Sequence, residues 1–196
     1  MSLTFSKSLR VLSLLAIALG GCGQAPEQCD TKGDPEVPIG GAFELTAHDG
    51  SAAHNDSYSG RYRIVYFGFT FCPDICPTEL QSISTALDML GEDAAKVQPL
   101  FITIDPERDD VAAMAAYLEH FHPSFVGLTG TPEQIEKVAQ AYKIYYAKAA
   151  ISEDPEDYTM NHSSFIYIMD CQGRYIRHLS QGAPPEEIAK ALGALE

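Results

Sequence analysis

Basic residues are scarce in this chain of 196: 13 lysines and arginines face 27 acids, a formal net charge of −14. The deficit argues against nucleic-acid binding, which needs a basic face for the phosphates. It leaves simple solubility, or an acidic surface that steers a basic partner or a cation. Glycine and proline are not in excess, and no internal repeat occurs, so fibrous and wholly disordered chains are excluded. The length suits one domain plus a leader and falls short of two full domains.

A membrane-spanning run is also missing at the N-terminus. Lys7 and Arg10 precede an uncharged stretch from Val11 to Gly21, shorter than the roughly 20 apolar residues a bilayer needs. The pattern is the charged and apolar part of a secretory signal. It ends in Leu19-Gly20-Gly21-Cys22, which resembles the lipobox of bacterial lipoproteins. That resemblance implies cleavage before Cys22 and a lipid on its sulfur; the alternatives are an uncleaved anchor, or an ordinary signal with a chance cysteine. An acyl chain holds a protein at the membrane while the domain folds in water. The expected organisation is a signal peptide over 1–21, a flexible tether over 22–40 and one domain over 41–196. The tether is rich in Pro, Gly and acids. Removing the leader removes Lys7 and Arg10 and no acid, which takes the balance to −16. The expected location is the bacterial cell envelope, facing the periplasm or the outside of the cytoplasmic membrane, where disulfides are permitted.

Within the domain, Ala42 to Thr46 runs into His48-Asp49-Gly50, a hairpin signal. Ile64 to Phe69 and Leu100 to Ile104 are continuous apolar runs that read as strands buried on both faces. Between them, Leu80, Ile83, Leu87 and Leu90 share one helical face in the segment Pro77 to Leu90. Val111, Met114, Ala115, Leu118 and Phe121 mark a second helix, and Phe125 to Leu128 a short strand. Thr131-Pro132-Glu133-Gln134 supplies an N-cap, a proline at the first helical position and a capping-box glutamine. Ile144 to Ala147, with Tyr145 and Tyr146, suits an edge strand, and Ser152 to Asp157 an acidic loop. Phe165 to Met169 and Tyr175 to Leu179 flank a turn at Asp170 to Gly173, and Glu186 to Leu195 closes the chain as a helix. A parallel βαβ unit followed by a β-hairpin and a helix is the thioredoxin-like α/β arrangement, here with an N-terminal hairpin and an inserted helix/strand segment. A flavodoxin-like sheet, which would end in parallel strands, is disfavoured by the tight turn.

Of five cysteines, Cys22 belongs to the leader junction. Cys29 and Cys171 either form a disulfide or remain two thiols, and connectivity is not readable from sequence. Cys72 and Cys76 stand where a buried strand hands over to a helix. Four residues apart, their sulfurs lie on one face of a helical turn. Helix N–H groups and the macrodipole favour the thiolate, the form that binds metal or attacks a disulfide. The two-residue spacing of thioredoxin-type redox sites is absent; three residues, Pro73, Asp74 and Ile75, separate the pair. Two soft thiolates favour Cu(I) or Zn, and either needs a further ligand. His162 precedes the strand at Phe165, which in a thioredoxin-like sheet lies antiparallel beside Ile64–Phe69. That places it near the cysteines, as a third ligand or as a residue that merely ends a strand.

Other residues have chemistry with more ordinary explanations. Asp105 and Asp109 follow a strand near the cysteine loop; turn formation and helix capping are favoured over a contact to that loop or a partner. Asp74 is a solvated loop acid or a partner-recognition charge. His120 and His122 sit at a helix end, where the dipole favours them. Met160 is a soft donor near His162, with core packing the favoured role.

The stretch Gly68-Phe69-Thr70-Phe71-Cys72-Pro73-Asp74-Ile75-Cys76-Pro77 resembles the signature of the Sco/SenC family. So do Asp105-Pro106-Glu107-Arg108-Asp109, Gly127-Leu128-Thr129-Gly130-Thr131 and Tyr158 through Ser163. The segments run in family order from about Arg63 to the end. The resemblance implies a thioredoxin-fold copper chaperone for the dinuclear copper centre of cytochrome c oxidase, with Cys72, Cys76 and His162 as ligands to one Cu(I) or Cu(II) per monomer. It implies as partner the copper-bearing oxidase subunit or an upstream copper donor. It also allows a thiol-disulfide reductase acting through Cys72 and Cys76 as a redox pair. A third class, a peroxidase of peroxiredoxin type, would want a low-pKa cysteine poised beside a helper arginine, a setting not evident in the sequence. One departure is Asn161, where the family usually has Asp before the histidine. The charge lost there bears on Cu(II) affinity and redox behaviour, not on the ligand set.

Overall fold

In a computed structural model, residues 32–154 and 157–194 are described. The expected leader, Cys22 and Cys29 lie outside them. Among the described residues no helix is long and apolar enough to cross a membrane.

The chain opens with a hairpin of β1 (Glu44–Ala47) and β2 (Ala52–His54). β3 (Tyr62–Gly68), α1 (Ile75–Leu90) and β4 (Val97–Thr103) follow, then α2 (Val111–Leu118), β5 (Val126–Thr129) and α3 (Pro132–Ala141). A second hairpin, β6 (Tyr146–Ala150) and β7 (Tyr158–His162), precedes a third, β8 (Ile166–Met169) and β9 (Tyr175–Leu179), and α4 (Pro185–Gly193) ends the domain. Seven strands form one sheet in the order β2-β1-β5-β4-β3-β8-β9; β6 and β7 form a separate two-stranded sheet. β3, β4 and β5 are parallel, while β8 runs antiparallel to β3 and β9 antiparallel to β8. The thioredoxin-like reading holds, and the antiparallel end excludes the flavodoxin-like one.

The two central strands are buried along their whole length, as continuous apolar runs require. α1 lays Leu80, Ile83 and Leu87 into the core and packs against α4. Each such leucine or isoleucine contributes about 1.5–3 kcal/mol by leaving water. The capping box at α3 forms as expected: Gln134 N donates to Thr131 Oγ1 at 3.3 Å and Thr131 N to Gln134 Oε1 at 2.8 Å.

Three expectations change. α1 begins two residues earlier than expected, so Cys76 lies inside its first turn. The strand expected at Ile144 to Ala147 begins at Tyr146, and it pairs with β7 instead of edging the main sheet. β7 itself is not evident in the sequence: of its five residues only Tyr158 and Thr159 favour strands. The acidic stretch after Ser152 is the connection of that hairpin. Residues 32–40, placed by sequence in the tether, run along the domain; Asp34 N donates to Tyr175 O at 3.0 Å and Gly40 N to Ala141 O at 3.0 Å. Cys171 is buried and disulfide-bonded.

Candidate metal centre

At the C-terminal edge of β3 the chain turns through 69–74 into α1. The turn carries Cys72 half-exposed, and the helix buries Cys76 completely. Both are free thiols. The Cys76 sulfur sits over Gly68: a Cβ added there would stand 2.7 Å from Sγ, so glycine makes room for it. Tyr66, two residues earlier on the same strand face, donates its hydroxyl to Cys76 Sγ at 3.8 Å.

Cys76 N donates to Cys72 Sγ at 3.3 Å, as the open N-terminus of a helix allows. The Cys76 side chain also hydrogen-bonds Cys72, and with N–H groups of Asp74 and Ile75 this lowers the Cys72 thiol to about 5 despite the opposing effect of burial. Cys76 moves the other way, because its proton is held toward Cys72 and its sulfur is buried. The pair therefore loses its first proton from Cys72 and retains the second on Cys76.

His162, the last residue of β7, brings Nε2 to 3.8 Å from Cys76 Sγ. Its Nδ1 lies 2.9 Å from the Ser163 carbonyl oxygen. A carbonyl only accepts, so Nδ1 carries the hydrogen and the neutral ring turns the Nε2 lone pair toward the sulfur. Burial lowers the His162 pKa and keeps the ring neutral; the Ser163 bond and the Cys72 thiolate pull in the opposite sense. The edge of the Phe69–His162 ring pair, 6.0 Å between centroids, sets the ring plane. Cys72 and His162 border a cleft of about 330 Å³ that Asn161 and Gln181 also line, while Cys76 is fully buried.

Donors sharing one ion at about 2.0–2.3 Å lie roughly 3.5–4 Å apart, so the Cys76–His162 separation suits a shared metal. Soft sulfur with imidazole nitrogen suits copper. The three donors nevertheless meet only in pairs: among the described residues no group of three or more His, Cys, Asp or Glu is gathered closely enough to hold a metal ion.

The surrounding residues answer the remaining expectations. Asp109, expected mainly as a turn or capping acid, is fully buried and grips the cysteine loop instead. Its carboxylate accepts from Thr70 N at 3.0 Å, Thr70 Oγ1 at 2.6 Å and Thr103 Oγ1 at 2.6 Å. Burial raises its pKa against the lowering effect of those bonds. The cap of α2 is its neighbour Asp110, which accepts from Ala113 N at 2.8 Å. Asp105 is likewise no simple turn residue; it accepts from Tyr158 Oη at 2.9 Å and from Arg108 Nε at 2.5 Å. Asp74 is exposed at the start of α1 and makes no side-chain cap. His120 is exposed; His122 Nδ1 lies 2.7 Å from Ser124 Oγ, away from the cleft. Met160 is buried and lines the cleft beside His162. Sequence reasoning missed Glu79, a buried acid one helical turn beyond Cys76. It accepts from Gly182 N at 2.5 Å and so fastens the Gln181 loop to α1. Its spacing from Cys76 was the available signal.

A family model described as SCO1/SenC matches residues 31–195. The SCO2-like protein of Rickettsia conorii is 41% identical over 81% of this chain and 78% of its own length. The structure of Bradyrhizobium japonicum ScoI with copper bound superposes with a TM-score of 0.75 at 43% identity, covering 81% of this chain and 99% of that one. Arabidopsis thaliana ScoI with copper bound gives 0.74 at 37%, covering 80% and 97%.

Proposed function

The chain belongs to the SCO1/SenC family, and we propose that it is a copper metallochaperone for assembly of the dinuclear copper centre of cytochrome c oxidase. The observation that carries the metal role is the approach of a neutral His162 Nε2 to Cys76 Sγ at 3.8 Å, beside a Cys72 thiol whose proton leaves near pH 5. A thiol-disulfide exchange site needs the two sulfurs only, whereas a soft metal held by two thiolates needs a further donor such as this imidazole. The kinship with copper-bound ScoI proteins supports the same reading.

Copper is cargo here. Cys72 offers a ready thiolate at the cleft mouth, Cys76 would release its proton to solvent as it bound the metal, and His162 would complete the set through its neutral nitrogen. The donors close the remaining distance on loading, which fits a site that must also let its metal go. One copper per monomer is the stoichiometry that three donors support. Cys22 as a lipid anchor would hold the domain at the membrane of the cell envelope, within reach of a copper-bearing oxidase subunit.

The test is anaerobic Cu(I) reconstitution with metal analysis. Wild type should bind one copper, and Cys72→Ser, Cys76→Ser and His162→Ala should each lose it or hold it weakly. Copper retained at full affinity by His162→Ala, together with rapid disulfide reduction by the apo protein, would refute the metallochaperone role. Delivery is tested by mixing the loaded chain with the apo copper-bearing domain of an oxidase subunit and following metal transfer. Cys22→Ser should move the protein from the membrane to the soluble fraction.

A further inference from the structure

We propose that Arg108 is a positioning residue that fastens the cysteine loop to the His162 hairpin, and so sets how closely the two halves of the site meet. The proposal rests on the copper reading above.

The hairpin of β6 and β7 joins no other strand, so its attachment to the domain falls on side chains. Arg108 makes the most complete of these links. Its guanidinium lies 3.7 Å from the Tyr158 ring centroid and 4.7 Å from that of Phe71. Nη1 donates to Tyr158 O at 2.9 Å, while Nε pairs with the buried Asp105 carboxylate at 2.5 Å. Phe71 precedes Cys72 directly. Tyr158 opens β7, whose last residue is His162, and positions two apart along a strand share a face. One side chain therefore contacts both the residue beside the first thiol and the strand that carries the imidazole.

Two features separate this role from plain stabilisation. Arg108 Nη2 is buried without a hydrogen-bond partner, which costs stability. The Phe71 ring that meets the guanidinium is 60% exposed, a position that core packing does not explain. The neighbouring Lys148–Glu107 pair, 2.6 Å apart, also bridges to the hairpin but lies in solvent, where ion pairs contribute little. Only a planar guanidinium meets two rings and donates to a carboxylate and a carbonyl at once, so lysine should not substitute.

The experiment measures Cu(I) affinity of the full chain by chelator competition for wild type, Arg108→Lys and Arg108→Gln, each with and without His162→Ala. Both Arg108 variants should bind copper about tenfold more weakly, the scale of losing a residue that orients a ligand. In the His162→Ala background the same changes should cost less than about twofold, because a loss routed through His162 cannot be counted twice. Nitrogen hyperfine coupling in the Cu(II) complex should weaken while thiolate charge transfer persists. Wild-type affinity in both variants, or an undiminished loss without His162, overturns the proposal. If Arg108→Gln loses its near-ultraviolet circular dichroism, Phe71→Ala carries the comparison, and unchanged affinity there overturns it equally. A wild-type chain that takes up no copper refutes the metal reading itself and this proposal with it, a result distinct from variants that merely match wild type.

Discussion

Cys76 rides on a sixteen-residue helix whose inner face is packed into the core, whereas His162 ends a five-residue strand of a hairpin that joins no other strand. The sulfur is placed by burial, by the space over Gly68 and by the helix start. The imidazole is placed by its own bond to Ser163 and by the Tyr158–Asp105–Arg108 contacts at the other end of β7. A metal site assembled from one rigid half and one tethered half can keep its thiolates while its third ligand comes and goes.

The comparison can be broken most severely at the rigid half. Cys72→Ser and Cys76→Ser should each abolish Cu(I) binding at micromolar metal in equilibrium dialysis. His162→Ala should weaken it by about 10–100-fold while the two thiolates still bind, a loss on the scale of removing a metal-site group. Its melting temperature should stay close to wild type. Equal losses for all three substitutions would erase the distinction.

Gly68→Ala sharpens the same contrast. Its Cβ would meet Cys76 Sγ at 2.7 Å and Phe101 at 2.8 Å. Crowding of this kind costs about 1–3 kcal/mol. Chemical denaturation should show that loss, together with weakened copper binding; no substitution in the hairpin should lower stability as much.

The Cys72 thiolate gives a pH signature. Its folded pKa lies near 5, below the ordinary thiol value of 9.0. A depressed pKa contributes stability that is complete above the unfolded value and is lost as pH falls through the folded one. The melting temperature of apo wild type relative to Cys72→Ser should therefore rise between pH 5 and pH 9. Alkylation by iodoacetamide should switch on through the lower end of that window. Cys76, shifted upward, stays protonated across it and should react later. A rate still climbing about tenfold per pH unit through pH 6–8, as an ordinary thiol does, would contradict the coupling of the two thiols.

The smallest effect is expected from Asn161→Asp. The position is exposed beside the cleft, and a restored carboxylate there should tighten Cu(II) by a few-fold at low salt, with salt reducing the gain. Isothermal titration at two ionic strengths checks both parts.

The same division explains what was legible in the sequence. The buried strands, the face of α1 and the capping box at Thr131 carry strong local patterns, and the cysteines lie at a boundary those patterns define. His162 entered on topology and family resemblance, because β7 lacks a strand pattern and its partner strand lies across an acidic connection. Asp109 read as a turn acid because nothing local distinguishes a carboxylate that caps a helix from one that reaches back to Thr70 and Thr103. Arg108 is silent for the same reason: its contacts at Phe71 and Tyr158 are far apart in sequence.

X-ray absorption of the Cu(I)-loaded chain tests the central claim most directly. Two sulfur scatterers and one nitrogen are predicted for wild type, with the nitrogen lost in His162→Ala. A sulfur-only first shell in wild type, or a nitrogen that survives removal of His162, would contradict it.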